Sequence, residues 1–152
     1  YLLEKEVIVE NTTGVQYLYH EPCHTPMKQY NSIDVAKQLT GSEVTLSDRC
    51  CGEAGTFAVA RPDISTQVRF RKEEELKNGL MSLTGENKVV NANVKMLTSC
   101  PACVQGLSRY ADDTGLETDY IVVEMANKLL GENWQTTFVD KIKKGGIEKV
   151  LL

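Results

Sequence analysis

Five cysteines stand in three groups along the 152 residues: Cys23, the adjacent pair Cys50 and Cys51 in "SDRCCGEAG", and Cys100 with Cys103 in "CPAC". Thiolates ligate metals and carry redox chemistry. An odd count without a secretory-signal pattern argues against a disulfide framework and for a reducing, cytoplasmic setting. Read alone, C-x-x-C fits a metal half-site or a thioredoxin-like dithiol. A dithiol leaves Cys23, Cys50 and Cys51 without a role. Neighbouring cysteine side chains normally point apart, so one small ion uses them poorly. They suit two metal atoms of a cluster, or they converge where Gly52 and Gly55 let the backbone turn. Five thiolates exceed the four that a structural zinc takes, whereas an iron–sulfur cluster accommodates the surplus. The plain alternative makes a given cysteine a small buried hydrophobe.

The elements that must position these residues alternate between strand and helix. "VQYLYH" (15–20), "EVTLSD" (43–48), "VKMLTS" (94–99) and "DYIVV" (119–123) read as strands. "NSIDVAKQLTG" (31–41) reads as a helix capped by Ser32, with Ile33, Ala36 and Leu39 on its apolar face and Gly41 at its end. A second helix is expected from Pro62 to Asn78, stopped by Gly79, after a glycine-containing loop "GEAGTFAVARP". "PACVQGLSRYAD" and "EMANKLLG" begin two more, and the tail from Trp134, a packing anchor, holds a short helix. The expected fold is α/β: a mostly parallel sheet with helices on both faces and the cysteines at the carboxyl ends of the strands. Those ends share one sheet edge, where ligand sites form. All five cysteines are expected there and none in the core.

With 41% hydrophobic residues the chain suits one compact domain over 1–152, with a core of about 15–130 and an extension over 131–152. A net charge of −4 gives no basic footprint for nucleic acid. No apolar run reaches the roughly 20 residues of a membrane span. "RFRKEEELK" (69–77) reads as a solvated helix face. The chain opens at Tyr1 in mid-pattern, as expected of a piece of a longer multidomain protein.

The set Cys23, Cys50-Cys51-Gly52, Cys100-Pro101-x-Cys103 resembles the cysteine-rich CCG domain. That domain occurs in heterodisulfide reductase, in the glycolate oxidase iron–sulfur subunit, and in related lactate-oxidising and glycerol-phosphate dehydrogenases. "YHEPCH" resembles the segment that opens the domain in the glycolate oxidase group. "SCPACVQGLSRY…DYIVVE" resembles the end of large fusions of a flavin domain, a ferredoxin-like segment and a CCG domain. The likeness covers roughly residues 15–130. It implies an iron–sulfur cluster (4Fe–4S, noncubane in heterodisulfide reductase) on Cys23, Cys50, Cys51, Cys100 and Cys103, with zinc as the alternative. It also implies FAD on another domain, electron transfer during oxidation of a 2-hydroxy acid, and flavin-binding and ferredoxin-like partners. The parent complex would account for any association with the inner face of a membrane. The isolated domain is expected to be inactive alone.

Two spacings depart from the family. Cys23 and Cys50 are separated by 26 residues, fewer than usual, and Cys51 and Cys100 by 48, more than usual. The surplus fits an insertion around 81–93 and leaves the cluster type open. The motif stands once here and twice in heterodisulfide reductase, so disulfide cleavage by paired clusters is not implied. The two histidines, His20 and His24, flank Cys23. His24 could orient a ligand, donate to sulfur or bind metal; His20 reads more readily as a strand-end residue. Arg49 and Arg61 could offset thiolate charge, and backbone N–H groups over 52–56 could form an anion nest.

Overall fold

The computed structural model describes residues 5, 9–10, 14–25, 27–53, 56–91 and 93–145. The elements run β1 (Gln16–His20), α1 (Ser32–Thr40), β2 (Val44–Ser47), α2 (Phe57–Ala60), α3 (Pro62–Thr84), β3 (Val94–Thr98), α4 (Pro101–Ser108), α5 (Ala111–Thr114), β4 (Glu117–Tyr120), α6 (Ile121–Leu130) and α7 (Trp134–Gly145). The strands form one sheet in the order β2-β1-β3-β4, and every pairing is parallel.

Alternation along β1 separates two cores. Tyr17 and Tyr19 pack with Val35, Ala36 and Leu39 of α1 and with Ile121 and Met125 of α6. Leu18 faces the other way, among Leu76 and Leu80 of α3 and Leu107 of α4. The α1 crossover from β1 to β2 thus lies on one face. The α3 crossover from β2 back to β3 lies on the other, as right-handed connections require when the direction of travel reverses. That reversal leaves a crevice between the ends of β1 and β3.

Several local expectations need correction. The cap of α1 is Asn31, not Ser32: its Oδ1 accepts from the N–H groups of Ile33 (2.9 Å) and Asp34 (3.1 Å). Gly41 does end α1, at φ +63°. Gly79 does not stop α3, which runs on to Thr84 and is capped by Gly85. A Cβ at Gly79 would lie 3.5 Å from Leu18 Cδ2, so the glycine marks close helix–sheet approach. The added turn continues the Leu76–Leu80 stripe, and each such buried leucine is worth roughly 1.5–3 kcal/mol. In "DYIVV" only Asp119 and Tyr120 are strand. Ile121 begins α6 because Ile121 and Met125, one turn apart, are buried while Val122 is exposed. Part of the expected loop "GEAGTFAVARP" (52–62) is the short helix α2. Trp134 is half-buried and donates from Nε1 to Asn127 Oδ1 (2.8 Å), tying α7 to α6.

Candidate metal centre

Register brings three strand ends together. His20, the last residue of β1, pairs with Ser47 at the end of β2 and with Thr98 at the end of β3. The segments carrying Cys23, Cys50–Cys51 and Cys100 follow these three residues in the chain. Pro22, Cys23, His24, Cys51, Cys100, Ala102 and Cys103 line one cavity of about 230 Å³.

At its floor, Sγ of Cys51 and Sγ of Cys103 are 3.4 Å apart and share a hydrogen bond. A ring nitrogen of His20 completes a buried trio whose donor atoms lie within 4.8 Å of one another. Proton sharing with Cys103 pulls the Cys51 thiol well below its ordinary range despite burial, and His20 and the Glu53 backbone N–H add to the effect. Cys103 is pushed up, first by Cys51 and then by burial, and Cys100 adds to the shift. At the rim, burial raises the Cys23 thiol, helped by Cys50 and Cys51. The sulfurs therefore form one electrostatic group.

The burial of Cys51 and Cys103 overturns the expectation that no cysteine lies in the core, since both pack with Leu18, Leu76, Met96 and Leu107. Cys100 is half-buried, and Cys23 and Cys50 are exposed. Cys50 lines the neighbouring cavity with Arg49, Val68, Arg71 and Glu74. Adjacent side chains do point apart: Cys51 faces inward, and Cys50 outward, where its Sγ accepts from the Gly52 N–H (3.3 Å). Gly52 makes the turn at φ +78°, a conformation that suits glycine. Its carbonyl accepts from Ser65 Oγ on α3 (3.2 Å). Of the suggested nest, Ala54 and Gly55 lie outside the described residues.

A clamp ties the Cys51 loop to the helix carrying Cys103. Buried Glu53 forms an ion pair with Arg109, just past α4. A Cβ at Gly106 would collide with the Glu53 side chain and come 3.4 Å from the Cys51 carbonyl oxygen. Only a glycine lets α4 approach this closely.

Neither proposed arginine faces the sulfurs with a free charge. Arg49 donates to the Arg71 carbonyl (2.8 Å) and Glu74 (3.2 Å), and Arg61 pairs with Asp63 (2.8 Å). The nearby cation is Lys72, from the stretch expected to be solvated, and it is fully buried. Its Nζ donates to Ser47 Oγ (2.6 Å), Glu75 Oε2 (2.7 Å) and the Ser47 carbonyl (3.3 Å). Burial lowers its pKa, and Glu75 opposes that shift. A lysine inside a run of charges gives no sequence signal of burial. His20 does carry one: it ends an apolar strand three residues before Cys23.

The donor set fits a thiophilic metal centre. With metal–sulfur bonds of about 2.3 Å, ligands on one tetrahedral ion lie roughly 3.8 Å apart. The Cys51–Cys103 separation is within a small outward shift of that edge.

Comparison with known proteins points the same way. A family model described as a domain of unknown function (DUF3400) matches residues 108–152. The glycolate oxidase iron-sulfur subunit of Escherichia coli K12 is 33% identical over 81 residues, covering 50% of this chain and 19% of that protein. An uncharacterized iron-sulfur protein of Methanococcus maripaludis is 25% identical over 124 residues, 73% of this chain and 22% of that protein. The chain thus spans about a fifth of the length of these relatives. No solved structure matches. Among the described residues, no helix is long and apolar enough to cross a membrane.

Proposed function

We propose that this chain is the CCG-type iron–sulfur domain of a larger, flavin-linked oxidoreductase that oxidises a 2-hydroxy acid of the lactate or glycolate kind. One observation carries the reading: Cys23, Cys51, Cys100 and Cys103 converge on one cavity. Its support is a chain similar to two proteins described as iron-sulfur proteins. Bound there, a cluster supplies one-electron storage and release. Cys51 and Cys103 would hold the buried side, Cys100 the wall and Cys23 the exposed rim, with Cys50 reaching in beside Cys23 from the neighbouring cavity. Gly52 sets the turn between the paired thiols, and His24 lies at the mouth. The core withholds water from the buried sulfurs, while the rim faces outward, where an electron-transfer partner can approach. Flavin-binding and ferredoxin-like domains are the proposed partners, and hydride chemistry is theirs. The domain is proposed to span 1–152, and the setting to be cytoplasmic, reaching the inner membrane face only through partners.

The test is metal and acid-labile sulfide content, with optical and EPR spectra, on protein prepared without oxygen. The expected result is iron and sulfide in near-equal amounts, lost in Cys51→Ser. Zinc alone near one per chain, unchanged after anaerobic reconstitution, would refute the cluster. That second reading has its own support: His20, Cys51 and Cys103 are compact enough for a single tetrahedral ion, with Cys50 outside the cavity. It makes the domain a metal-stapled docking module.

A further inference from the structure

We propose that His20 supplies a nitrogen ligand, through Nε2, to the metal held by Cys51 and Cys103. The inference deepens the metal-centre reading and rests on it.

His20 is 1% exposed, and among the described residues its Nε2 has no partner in hydrogen-bonding geometry, although the ring draws the Cys51 thiol down. Burying an imidazole nitrogen unpaired is costly, so this atom calls for a partner that the described residues do not provide. The other ring nitrogen fixes the tautomer. Nδ1 lies 3.1 Å from the Ser47 carbonyl oxygen. A carbonyl oxygen only accepts, so this contact, the shorter of the two at Nδ1, assigns the proton to Nδ1 over the alternative in which Nδ1 accepts from Lys72. Lys72 Nζ, 3.3 Å from Nδ1, then sends its third N–H to the same carbonyl, which has two lone pairs. With Nδ1 protonated, Nε2 carries a lone pair. Metal-binding histidines are held in this way, by donating the remote N–H to a backbone carbonyl.

Period-two alternation sends His20 to the same sheet face as Leu18, toward α3 and the Cys51 segment. A ring nitrogen is there within 4.8 Å of both Sγ atoms. Since Nδ1 is taken by Ser47, Nε2 is the atom available to the metal. The orienting chain runs from Lys72 on α3 through Ser47 at the end of β2 to His20 at the end of β1. Lys72 and Ser47 are positioning residues. His24, exposed at the mouth, is not the nitrogen ligand in this assignment.

The test needs no disruption of the core. The 152-residue chain is labelled with 15N-histidine, reconstituted with iron and sulfide without oxygen, reduced, and studied by pulse EPR. A ligand-sized nitrogen coupling is expected that changes from 14N to 15N with the label. It should persist in His24→Gln and vanish in His20→Cys, which keeps a donor at the site. Exchange of a neutral imidazole for an anionic thiolate should also lower the reduction potential in His20→Cys. A coupling indifferent to the label, one lost in His24→Gln, or only the weak coupling of an N–H···S contact would overturn the proposal. If no cluster assembles, the proposed function fails, and Co²⁺ loading then tests the ligand by itself. X-ray absorption should show a nitrogen scatterer near about 2.0–2.1 Å that is lost in His20→Cys. All-sulfur coordination, or no uptake of either metal, would overturn the assignment.

Discussion

On the α1/α6 face of the sheet, Tyr17 donates to Glu124 Oε1 (2.7 Å), Lys95 reaches Glu124 Oε2 (3.2 Å), and Lys128 lies 5.1 Å over the Tyr17 ring. Acid, phenol and cations answer one another, and this network is closed. On the α3/α4 face, Lys72, Ser47 and Glu75 are equally well paired, but the network ends in a His20 Nε2 without a partner among the described residues and in a group of thiols. Both networks are buried against the same sheet. The closed one is a solution to folding, and the open one leaves donors facing the proposed metal centre. A buried polar group is therefore informative less by its presence than by whether its bonds are all made.

The comparison breaks most easily at the sulfurs. Cys51→Ser or Cys103→Ser should abolish metal uptake, measured by iron, sulfide and zinc content. Glu124→Ala, on the closed side, should leave uptake unchanged. It should cost about 1–3 kcal/mol of stability in urea unfolding, because it strands the Tyr17 hydroxyl and leaves Lys95 only Glu117 at 3.7 Å. If Glu124→Ala also lost metal, the two faces would not be independent.

Gly106→Ala should show a smaller effect on the open face. The new methyl displaces Glu53 from Arg109 and presses on the Cys51 carbonyl, for about 1–3 kcal/mol and faster metal loss to a chelator. Glu53→Gln should weaken the clamp with no such collision.

The alkaline response separates the faces more finely. Burial pushes Tyr110 up to about 12 from an ordinary value of 10.0. The folded state therefore keeps a proton that the unfolded chain releases. That stability is complete below about pH 10 and is lost as pH rises toward 12. Tyr110→Phe should flatten the decline in unfolding free energy over this window. Tyr17, raised by burial and by Glu124, should steepen it in the same sense on the other face. The smallest effect is expected at Arg49→Ala, whose ion pair with Glu74 is exposed. It should change stability by no more than about 0.5 kcal/mol and leave metal uptake unaltered.

Much of this architecture is legible from local pattern. The apolar run at 15–20, the glycine at 41 and the proline at 101 each mark a boundary that the backbone obeys. The parallel sheet follows from strands alternating with helices, and every cysteine follows a strand in the chain. Legibility failed where tertiary contact overrides a local signal. Gly79 looks like a helix stop, yet Leu18 packs against it and the helix continues. Ile121 and its valine neighbours look like a strand, yet one-sided burial makes them a helix. Lys72 looks solvated, and nothing within its own helix reveals that Ser47 and Glu75 receive it in the interior. The candidate site showed its sulfurs in the sequence but not the order of their burial. For Cys50 and Cys51 that order depends on which way each side chain leaves the turn at Gly52.

The pairing of β1 with β3, rather than with a strand nearer in the chain alone, also sets a timetable. Cys23 and Cys103 meet only after everything between them has emerged from the ribosome. At about 5–20 residues per second, those roughly 80 residues take on the order of 4–16 s to synthesise. During that interval Cys23, Cys50 and Cys51 exist as loose thiols beside an unfinished sheet. Metal delivery that comes too early meets a partial set of candidate ligands, and oxidants meet Cys51 before the core covers it. Assembly of the proposed centre is thus paced by the topology, and its last candidate ligand arrives with the first turn of α4.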